Sequence, residues 1–315
     1  MARIFLTGGA GFIGSHTAEA LLARGDHVVT LDNLNGFYDP AIKRTNVEAL
    51  SAHDGFTFVE GDIRDAAAVA EAMDGADAVI HLAAMAGVRP SIEDPALYTD
   101  VNLGGTTLLL EAAVERGVGK FVFASSSSVY GERQDPPFSE TDPVDHPISP
   151  YAATKKAGEL LAHTFHALHG LPVACLRYFT VYGPRQRPEM AIHKFTRRIL
   201  EGRPIPMFGD GSSARDYTFI SDIVGGTVRA LDGVSGYRVY NLGGSGVTTL
   251  ARLIEVIAEA VGREAVIEKM PNQAGDVSLT SADVSRAKAE LGYRPQVAIE
   301  EGVRRFVEWY RGTHA

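Results

Sequence analysis

The stretch "RIFLTGGAGFIGSH" at residues 3–16 constrains the fold more than any other part of the chain. It places Gly8, Gly11 and Gly14 after an apolar run and before a helical pattern from Phe12 to Ala23. In a strand, turn and helix unit, the first glycine permits a tight turn, the second lets a pyrophosphate approach the backbone, and the third lets helix and strand pack closely. The unpaired amides of the helix N-terminus then face the phosphates. The stretch therefore predicts a dinucleotide site at the start of the first helix.

Asp32 ends the next apolar run, "HVVTLD", 18 residues beyond Gly14. A carboxylate at this place accepts hydrogen bonds from the ribose hydroxyls of an adenosine and repels a 2′-phosphate. We therefore expect NAD rather than NADP as the cofactor. Lys43 and Arg44 follow closely enough to alter the local field.

Apolar runs alternate with helical patterns through the first half of the chain. The runs are "RIFLTG", "HVVTLD", "FTFVEGD", "DAVIHLAA", "KFVFASS" and "VACLRYF". This alternation predicts parallel strands joined by right-handed crossovers, with helices on both faces. The expected fold class is α/β, a Rossmann-type doubly wound parallel sheet with a smaller C-terminal α/β substrate domain.

The alternation becomes irregular after about residue 180, where "GPRQRPEM" and "EGRPIPMFGDGSSARDY" are rich in Gly, Pro and Arg. We predict an NAD-binding domain over residues 1–179, rejoined by parts of 217–243. A smaller substrate domain is expected over 180–315. One continuous domain with long loops is the alternative.

Composition limits the partners and the compartment. A net charge of −9 argues against nucleic acid, whose phosphates are held mainly by Lys and Arg. There is no apolar segment of the roughly 18 residues needed to span a bilayer, and glycines interrupt the start where a secretory signal would need an apolar segment. The single Cys175 permits no disulfide within the chain, and the ten histidines show no metal-ligand spacing. We expect a cytoplasmic protein without a metal site or a membrane partner.

Two further stretches carry candidate catalytic groups. "YAATK" places Tyr151 and Lys155 four residues apart at the start of a helical pattern, so both project from one face. An ammonium near a phenol favours the phenolate, which would bring the pKa of Tyr151 down from about 10 and suit it to act as a base. "SSSSVYG" ends an apolar run with four hydroxyls, a pattern that a polar turn also produces.

Taken together, these stretches resemble the extended short-chain dehydrogenase/reductases of the NAD-dependent epimerase/dehydratase family. "TGGAGFIG", "LDNL", "GDI", "HLAA", "VN", "SSSSVYG", "YAATK", "LRYF", "VYGPR", "ARDYTFI" and "AGDV" follow the family's order over nearly the whole chain. The resemblance implies Ser126 on the substrate O4, Tyr151 as base, Lys155 as its partner, and a tightly bound NAD regenerated in each turnover. The cofactor contacts that it implies are Gly8, Gly11, Phe12, Ile13, Gly14, Asp32, Asn33, Asp62, Ile63, Leu82, Ala83, Ala84, Asn102, Ser125, Tyr151, Lys155 and Phe179.

Residues 127 and 128 limit which of the family's reactions the resemblance implies. Family members that eliminate water carry Asp and Glu at these positions, and those that decarboxylate a uronic acid carry Glu at the second; this chain has serine at both. Elimination needs a carboxyl group as general acid and base. The expected reaction is therefore reversible oxidation at a single ring carbon, which inverts C4.

The stretches "NLNGFYDPAIKR", "AGVRPS" and "FTVYGPRQRPEMA" resemble the branch that converts UDP-glucuronate to UDP-galacturonate. This implies Arg187 on the substrate carboxylate, helped by Thr180 and Ser127, since guanidinium binds carboxylate with two parallel hydrogen bonds. Arg185 is a rival, because this branch usually has Gly where the chain has Gln186. The other substrate contacts implied are Arg89, Phe208 on the uracil, Arg215 and Tyr217 near the diphosphate, and Asp276 on the uridine ribose.

Three alternatives stay open. They are a UDP-glucose or UDP-N-acetylglucosamine 4-epimerase, a uronate decarboxylase, which Ser128 disfavours, and a non-catalytic nucleotide-sensing Rossmann protein. The intact Tyr151 and Lys155 argue against the last. Surplus apolar residues near 94–117 and 151–169 fit the family's homodimer through a four-helix bundle, with a monomer as the alternative.

Overall fold

A computed structural model describes residues 1–133, 135–244, 246–271 and 278–314. Its strands are β1 (Arg3–Thr7), β2 (His27–Asp32), β3 (Phe56–Glu60), β4 (Ala78–His81), β5 (Lys120–Ser126), β6 (Val173–Tyr178), β7 (Thr180–Tyr182), β8 (Ile205–Phe208), β9 (Ala214–Phe219), β10 (Tyr237–Leu242), β11 (Val247–Thr249) and β12 (Ile267–Met270). Seven of them form one parallel sheet in the order β10-β6-β5-β4-β1-β2-β3. The first six predicted strands are all in this sheet.

Helices cover both faces of the sheet, as the alternating pattern predicts, and further helices pack on the small C-terminal sheets. They are α1 (Phe12–Ala23), α2 (Pro40–Leu50), α3 (Ala66–Met73), α4 (Val88–Glu93), α5 (Pro95–Tyr98), α6 (Gly105–Glu115), α7 (Pro150–His169), α8 (Ala191–Leu200), α9 (Ile220–Gly233), α10 (Leu250–Val261), α11 (Ser285–Leu291) and α12 (Ile299–His314). A π-helical segment, Thr99–Gly104, joins α5 to α6.

Successive strand residues point to opposite faces, and each face has its own apolar core. Ile4 and Leu6 of β1 pack with α1 and α9, whereas Phe5 between them packs with α3 and α6 on the other side. Burial of strands on both faces explains why they are continuous apolar runs rather than alternating ones. The expected fold class, a Rossmann-type doubly wound α/β sheet, is confirmed.

The order of the strands reverses at β1, which lies between β2 and β4. In open α/β sheets, ligands bind outside the carboxyl ends of the strands at such a switch point. The chain segments that follow β1, β2, β4 and β5 therefore define where a site can form.

Two small sheets lie in the C-terminal part of the chain. One has the order β11-β9-β7 and the other pairs β12 with β8. The segment "YRVYNL", which the irregular pattern assigns to the smaller domain or to a return into the larger one, forms β10 and pairs with β6. The division into residues 1–179 with parts of 217–243, and 180–315, stays a proposal.

Within the described ranges, none of the helices is both long and apolar enough to cross a membrane.

Candidate functional site

A cavity of about 420 Å³ opens at the carboxyl ends of the strands, beside the switch point. Of the residues proposed from the sequence, it is lined by Gly8, Gly11, Phe12, Ile13, Gly14, Asp32, Asn33, Asp62, Ile63, Leu82, Ala83, Ala84, Ser125, Ser126, Ser127, Tyr151, Lys155, Phe179, Thr180 and Arg187. The structure thus brings the cofactor, catalytic and carboxylate candidates to one place. Its volume is in the usual range for cofactor and small-molecule sites.

The glycine turn forms a cradle for phosphates. Gly8 has φ +74°, and a Cβ there would lie 2.7 Å from the amide nitrogen of Ala83. A Cβ on Gly14 would overlap the carbonyl oxygen of Gly8. Helix α1 begins at Phe12 with Gly11 as its N-cap, so no side chain caps its first amides. These amides and the close backbone approach fit the pyrophosphate of NAD.

Asp32 lies buried at the end of β2 and accepts hydrogen bonds from the amides of Ala10 (3.2 Å) and Leu34 (2.9 Å). Burial raises the pKa of its carboxyl, and the charge of Lys43 opposes that rise. Lys43 donates from Nζ to the carbonyl oxygen of Asn35 at 2.9 Å. Asp32 and Lys43 both line the part of the cavity where an adenosine ribose would lie. Lys43 therefore belongs to the cofactor end of the site.

The candidate catalytic residues come from two elements. Ser126 ends β5, while α7 begins at Pro150, with Ser149 as its N-cap, and carries Tyr151 and Lys155 in its first two turns. Nζ of Lys155 donates to the carbonyl oxygen of Ala124 at 2.7 Å and lies 6.0 Å from the ring centroid of Tyr151. Packing of α7 on β5 therefore brings the distant motifs together.

Burial shifts both of these groups towards their neutral forms. It raises the pKa of Tyr151, opposed by the nearby hydroxyl of Ser126 and by the charge of Arg187. It lowers the pKa of Lys155 to about 7. The sequence led us to expect a lowered pKa for Tyr151. In the protein without NAD this expectation is wrong and the pKa is raised, because loss of hydration outweighs the attraction of charges at these distances.

The four serines at the end of β5 differ in their contacts. Ser125 donates from Oγ to Oε1 of Glu159 at 2.6 Å. Ser126 donates from Oγ to Oγ of Ser128 at 3.1 Å and accepts from the Ser128 amide. Ser127 and Ser128 line the cavity. The run is therefore more than a polar turn, since the Ser125 hydroxyl ties the strand end to α7 and all four serines line the cavity.

The two candidate arginines for a carboxylate point to different places. Arg187 lines the cavity with Thr180, and its charge reaches Tyr151. Arg185 has φ +64°, and its guanidinium donates to Glu19 at 2.6 and 2.7 Å. Gln186, between them, is buried and donates to the carbonyl oxygen of Val181 at 3.0 Å. This path of the loop favours Arg187 over its rival.

Other proposed residues lie outside the cavity lining. The guanidinium carbon of Arg89 lies 6.0 Å from the ring centroid of Phe208, and Arg215 donates to the carbonyl oxygen of Ala214 at 2.9 Å. Tyr217 lines a separate cavity. Asn102, in the π-helical segment, bonds both backbone groups of Met85 and so holds the loop that carries Leu82–Ala84. Asp276 lies outside the described residues.

Sequence reasoning did not single out several residues of the site. Phe37, Tyr38 and Met190 line the cavity, and Glu189 is ion-paired to Arg187 at 3.2 Å. Phe37 and Tyr38 are in "NLNGFYDPAIKR", and Glu189 and Met190 are in "RPEMA", both of which were compared only as whole motifs. Among the described residues, no group of three His, Cys, Asp or Glu could hold a metal ion.

Comparison with known proteins identifies the family of the chain. Residues 4–243 match the model of the NAD dependent epimerase/dehydratase family. The chain belongs to this family. A UDP-glucuronate 4-epimerase of Thermodesulfobacterium geofontis is 45% identical over 98% of this chain and 96% of its own length.

Two solved structures superpose closely on this chain. The UDP-glucuronic acid 4-epimerase of Bacillus cereus, in complex with UDP-glucuronic acid and NAD, matches with a TM-score of 0.94 and 37% identity, covering 99% of each chain. A dTDP-glucose 4,6-dehydratase of Streptomyces venezuelae with NAD bound matches with a TM-score of 0.93 and 36% identity, covering 99% and 98%. Two reactions thus share one family fold, and the side chains in the cavity have to distinguish them.

Proposed function

We propose that this protein is an NAD-dependent isomerase that interconverts UDP-glucuronate and UDP-galacturonate by inversion at C4. The observation that carries the proposal is one cavity in which Ser126, Tyr151 and Lys155 face Thr180 and Arg187. The first three are the groups for oxidising a secondary alcohol, and the last two can hold a carboxylate on the same sugar. The similarity to UDP-glucuronate 4-epimerases over nearly the whole chain supports this choice of substrate.

Each protein group has a part in the proposed mechanism. NAD, when bound, supplies reversible uptake and return of the C4 hydride. Tyr151 takes the proton of O4, the hydroxyl of Ser126 orients that oxygen, and Lys155 places a positive charge near the phenolate when it is protonated. The 4-keto sugar then rotates about its bonds to the diphosphate, so that the hydride would return to the opposite face of C4 while Tyr151 returns the proton to O4.

The carboxylate needs its own support, because a 4-keto uronate is a β-keto acid. Such acids lose carbon dioxide when the bond to the carboxylate aligns with the carbonyl π system. Arg187 and Thr180 would hold that bond near the ring plane and suppress the loss. Ser128, where decarboxylases of the family carry Glu, offers no carboxyl group to the intermediate.

Product analysis tests this proposal directly. The purified protein, without added NAD, is incubated separately with UDP-glucuronate and UDP-glucose, and the products are separated by chromatography. UDP-galacturonate from the first substrate alone is the expected result, and it also requires that NAD is retained. Turnover of UDP-glucose in preference would make the protein a neutral-sugar 4-epimerase and remove Arg187 from its proposed role.

A second experiment tests whether Arg187 and Thr180 suppress decarboxylation of the 4-keto intermediate. Arg187→Ala and Thr180→Ala should release more UDP-4-keto-pentose relative to UDP-galacturonate, because the carboxylate is then free to rotate. Product ratios equal to those of the unmodified protein would contradict the assignment of these two residues.

We also propose a cytoplasmic homodimer formed through a four-helix bundle. Leu160 and Leu168 of α7 are 58% and 72% exposed and lie about two turns apart on one helix, so an interface on this face would bury both. The free, buried thiol of Cys175 suits a reducing compartment.

A further inference from the structure

The guanidinium of Arg187 is held on three sides by this chain's own residues. Its Nε lies 3.2 Å from Oε1 of Glu189, and its Nη2 lies 3.9 Å from Sδ of Met190. Its central carbon lies 5.6 Å from the ring centroid of Phe37, within the range of a cation–π contact. No described residue hydrogen-bonds Nη1. The remaining edge of the guanidinium is therefore the one available to a ligand in the cavity.

Phe37 is itself fixed by a series of turns that begins at the cofactor end of the site. Asp32 accepts from the amide of Leu34 (2.9 Å), Asn33 from that of Asn35 (3.0 Å), and Asn35 from that of Phe37 (2.8 Å). Each bond joins a side chain to the amide two residues on, which is the pattern of Asx turns. Lys43 adds a bond from Nζ to the carbonyl oxygen of Asn35 at 2.9 Å. The loop therefore presents the ring of Phe37 in a defined place.

Glu189 contacts Arg187 from a neighbouring position in the sequence. It lies two residues beyond Arg187, and the amide of Met190 closes a turn on the carbonyl oxygen of Arg187 at 3.1 Å. Its carboxylate is 44% exposed and does not line the cavity, whereas Arg187 is only 22% exposed and does. Glu189 can therefore hold Nε from outside without entering the space of a substrate.

We propose that Phe37 and Glu189 are positioning residues that fix Arg187 in its carboxylate-binding orientation before the substrate arrives. An arginine side chain loses rotamer freedom when it is immobilised by a ligand, and immobilising it beforehand removes that cost from binding. The two residues thereby set the preference for a uronate over the neutral sugar. This inference rests on the proposed function, in which Arg187 binds the substrate carboxylate.

Binding of two ligands that differ only in the carboxylate tests the proposal. Dissociation constants of UDP-glucuronate and UDP-glucose are measured by calorimetry on the NAD-bound protein carrying Tyr151→Phe, so that no turnover occurs. In this background, Phe37→Leu and Glu189→Ala should each weaken UDP-glucuronate about two- to tenfold, the range expected for one side chain that must be ordered anew. UDP-glucose should bind as before, and Glu189→Gln, which keeps an acceptor for Nε, should recover part of the loss.

Two controls separate the inference from its premise. Glu201→Gln removes an exposed acid that is paired with Arg203 outside the site, and it should change neither constant. Arg187→Ala should weaken UDP-glucuronate selectively, and in its presence Phe37→Leu should have no further effect. A merely structural role for Phe37 would not depend on Arg187 in this way.

The results with these variants distinguish failure of the proposed function from failure of the positioning role. If Arg187→Ala leaves the preference for UDP-glucuronate intact, the carboxylate assignment in the proposed function fails. If Arg187→Ala removes that preference but Phe37→Leu and Glu189→Ala do not reduce it, only the positioning role fails. Tighter binding of UDP-glucuronate by Glu189→Gln also overturns that role, because Glu189 would then compete with the substrate for Arg187.

Discussion

Tyr151 is the residue on which the proposed reaction depends most directly. Replacing it by phenylalanine removes one oxygen from a site that is otherwise unchanged. We expect Tyr151→Phe to lower kcat by about 10²- to 10⁴-fold, the usual contribution of a general base, while binding of the UDP-sugar is retained. Steady-state rates with UDP-glucuronate, together with calorimetric binding, check this. A variant that keeps a tenth of the activity would assign the base to another group.

At the level of single residues, the sequence identified the candidate reactive groups but did not predict what surrounds them. The spacing of Tyr151 and Lys155 requires only a helix, and Ser126 follows from its place at a strand end. The choice between Arg185 and Arg187 depends on a left-handed residue and on the burial of Gln186. Neither can be read from spacing, because both depend on what the loop packs against.

Helix α7 links the catalytic residues to a buried charge network. Glu159, one turn beyond Lys155, bonds Nε and Nη2 of Arg177 on β6 at 2.8 Å each and accepts from Ser125 on β5. Burial would raise the pKa of Glu159, but hydrogen bonds from Arg177 outweigh it and hold the pKa low. Glu159 therefore holds α7 against β6 through Arg177 and against β5, the strand that ends in Ser126, through Ser125.

Removing one partner of such a pair leaves the other charge buried. We expect Glu159→Ala to lower the free energy of unfolding by about 3–5 kcal/mol, measured by urea denaturation. Glu159→Gln, which still accepts from Ser125, should lose less. The exposed pair of Glu201 and Arg203 provides the control, where Glu201→Gln should have little effect. Equal losses in Glu159→Ala and the control would show that the network adds no stability.

The elements of the larger sheet were predictable from apolar runs, but their pairing was not. Six strands follow from runs that alternate with helical patterns. The seventh, β10, joins the sheet beside β6 although 58 residues separate Tyr178 from Tyr237. Nothing local in "YRVYNL" distinguishes an edge of the large sheet from a strand of a small one, because the difference lies in long-range contacts.

The exposed face of α7 concerns the whole molecule. If Leu160 and Leu168 lie in a dimer interface, then Leu160→Glu combined with Leu168→Glu should convert the dimer to a monomer, because buried like charges oppose association. Light scattering after size-exclusion chromatography measures the mass. The same mass for the variant and the unmodified protein would exclude this face as the interface.

Three histidines that the fold largely shields from water make the stability of the whole protein depend on pH. Burial lowers the pKa of His16 and of His193 to about 4 and that of His81 to about 3, all from 6.5. His81, for example, lies between the hydroxyls of Thr7 (2.7 Å) and Thr106 (2.9 Å). The folded protein therefore keeps these rings neutral at pH values at which the unfolded chain binds protons.

The sign of the effect follows from this difference. Above pH 6.5 neither state binds these protons, and as pH falls towards 4 the unfolded state gains them first, so stability decreases. Each such histidine contributes a slope of about 1.4 kcal/mol per pH unit in that window. His16→Gln, whose amide can still donate to the carbonyl oxygen of Pro184, should reduce the slope by about one proton. Urea denaturation at several pH values between 7 and 4.5 measures it, with the exposed His53→Gln alongside, and an unchanged slope in His16→Gln would mean that His16 is not held neutral by the fold.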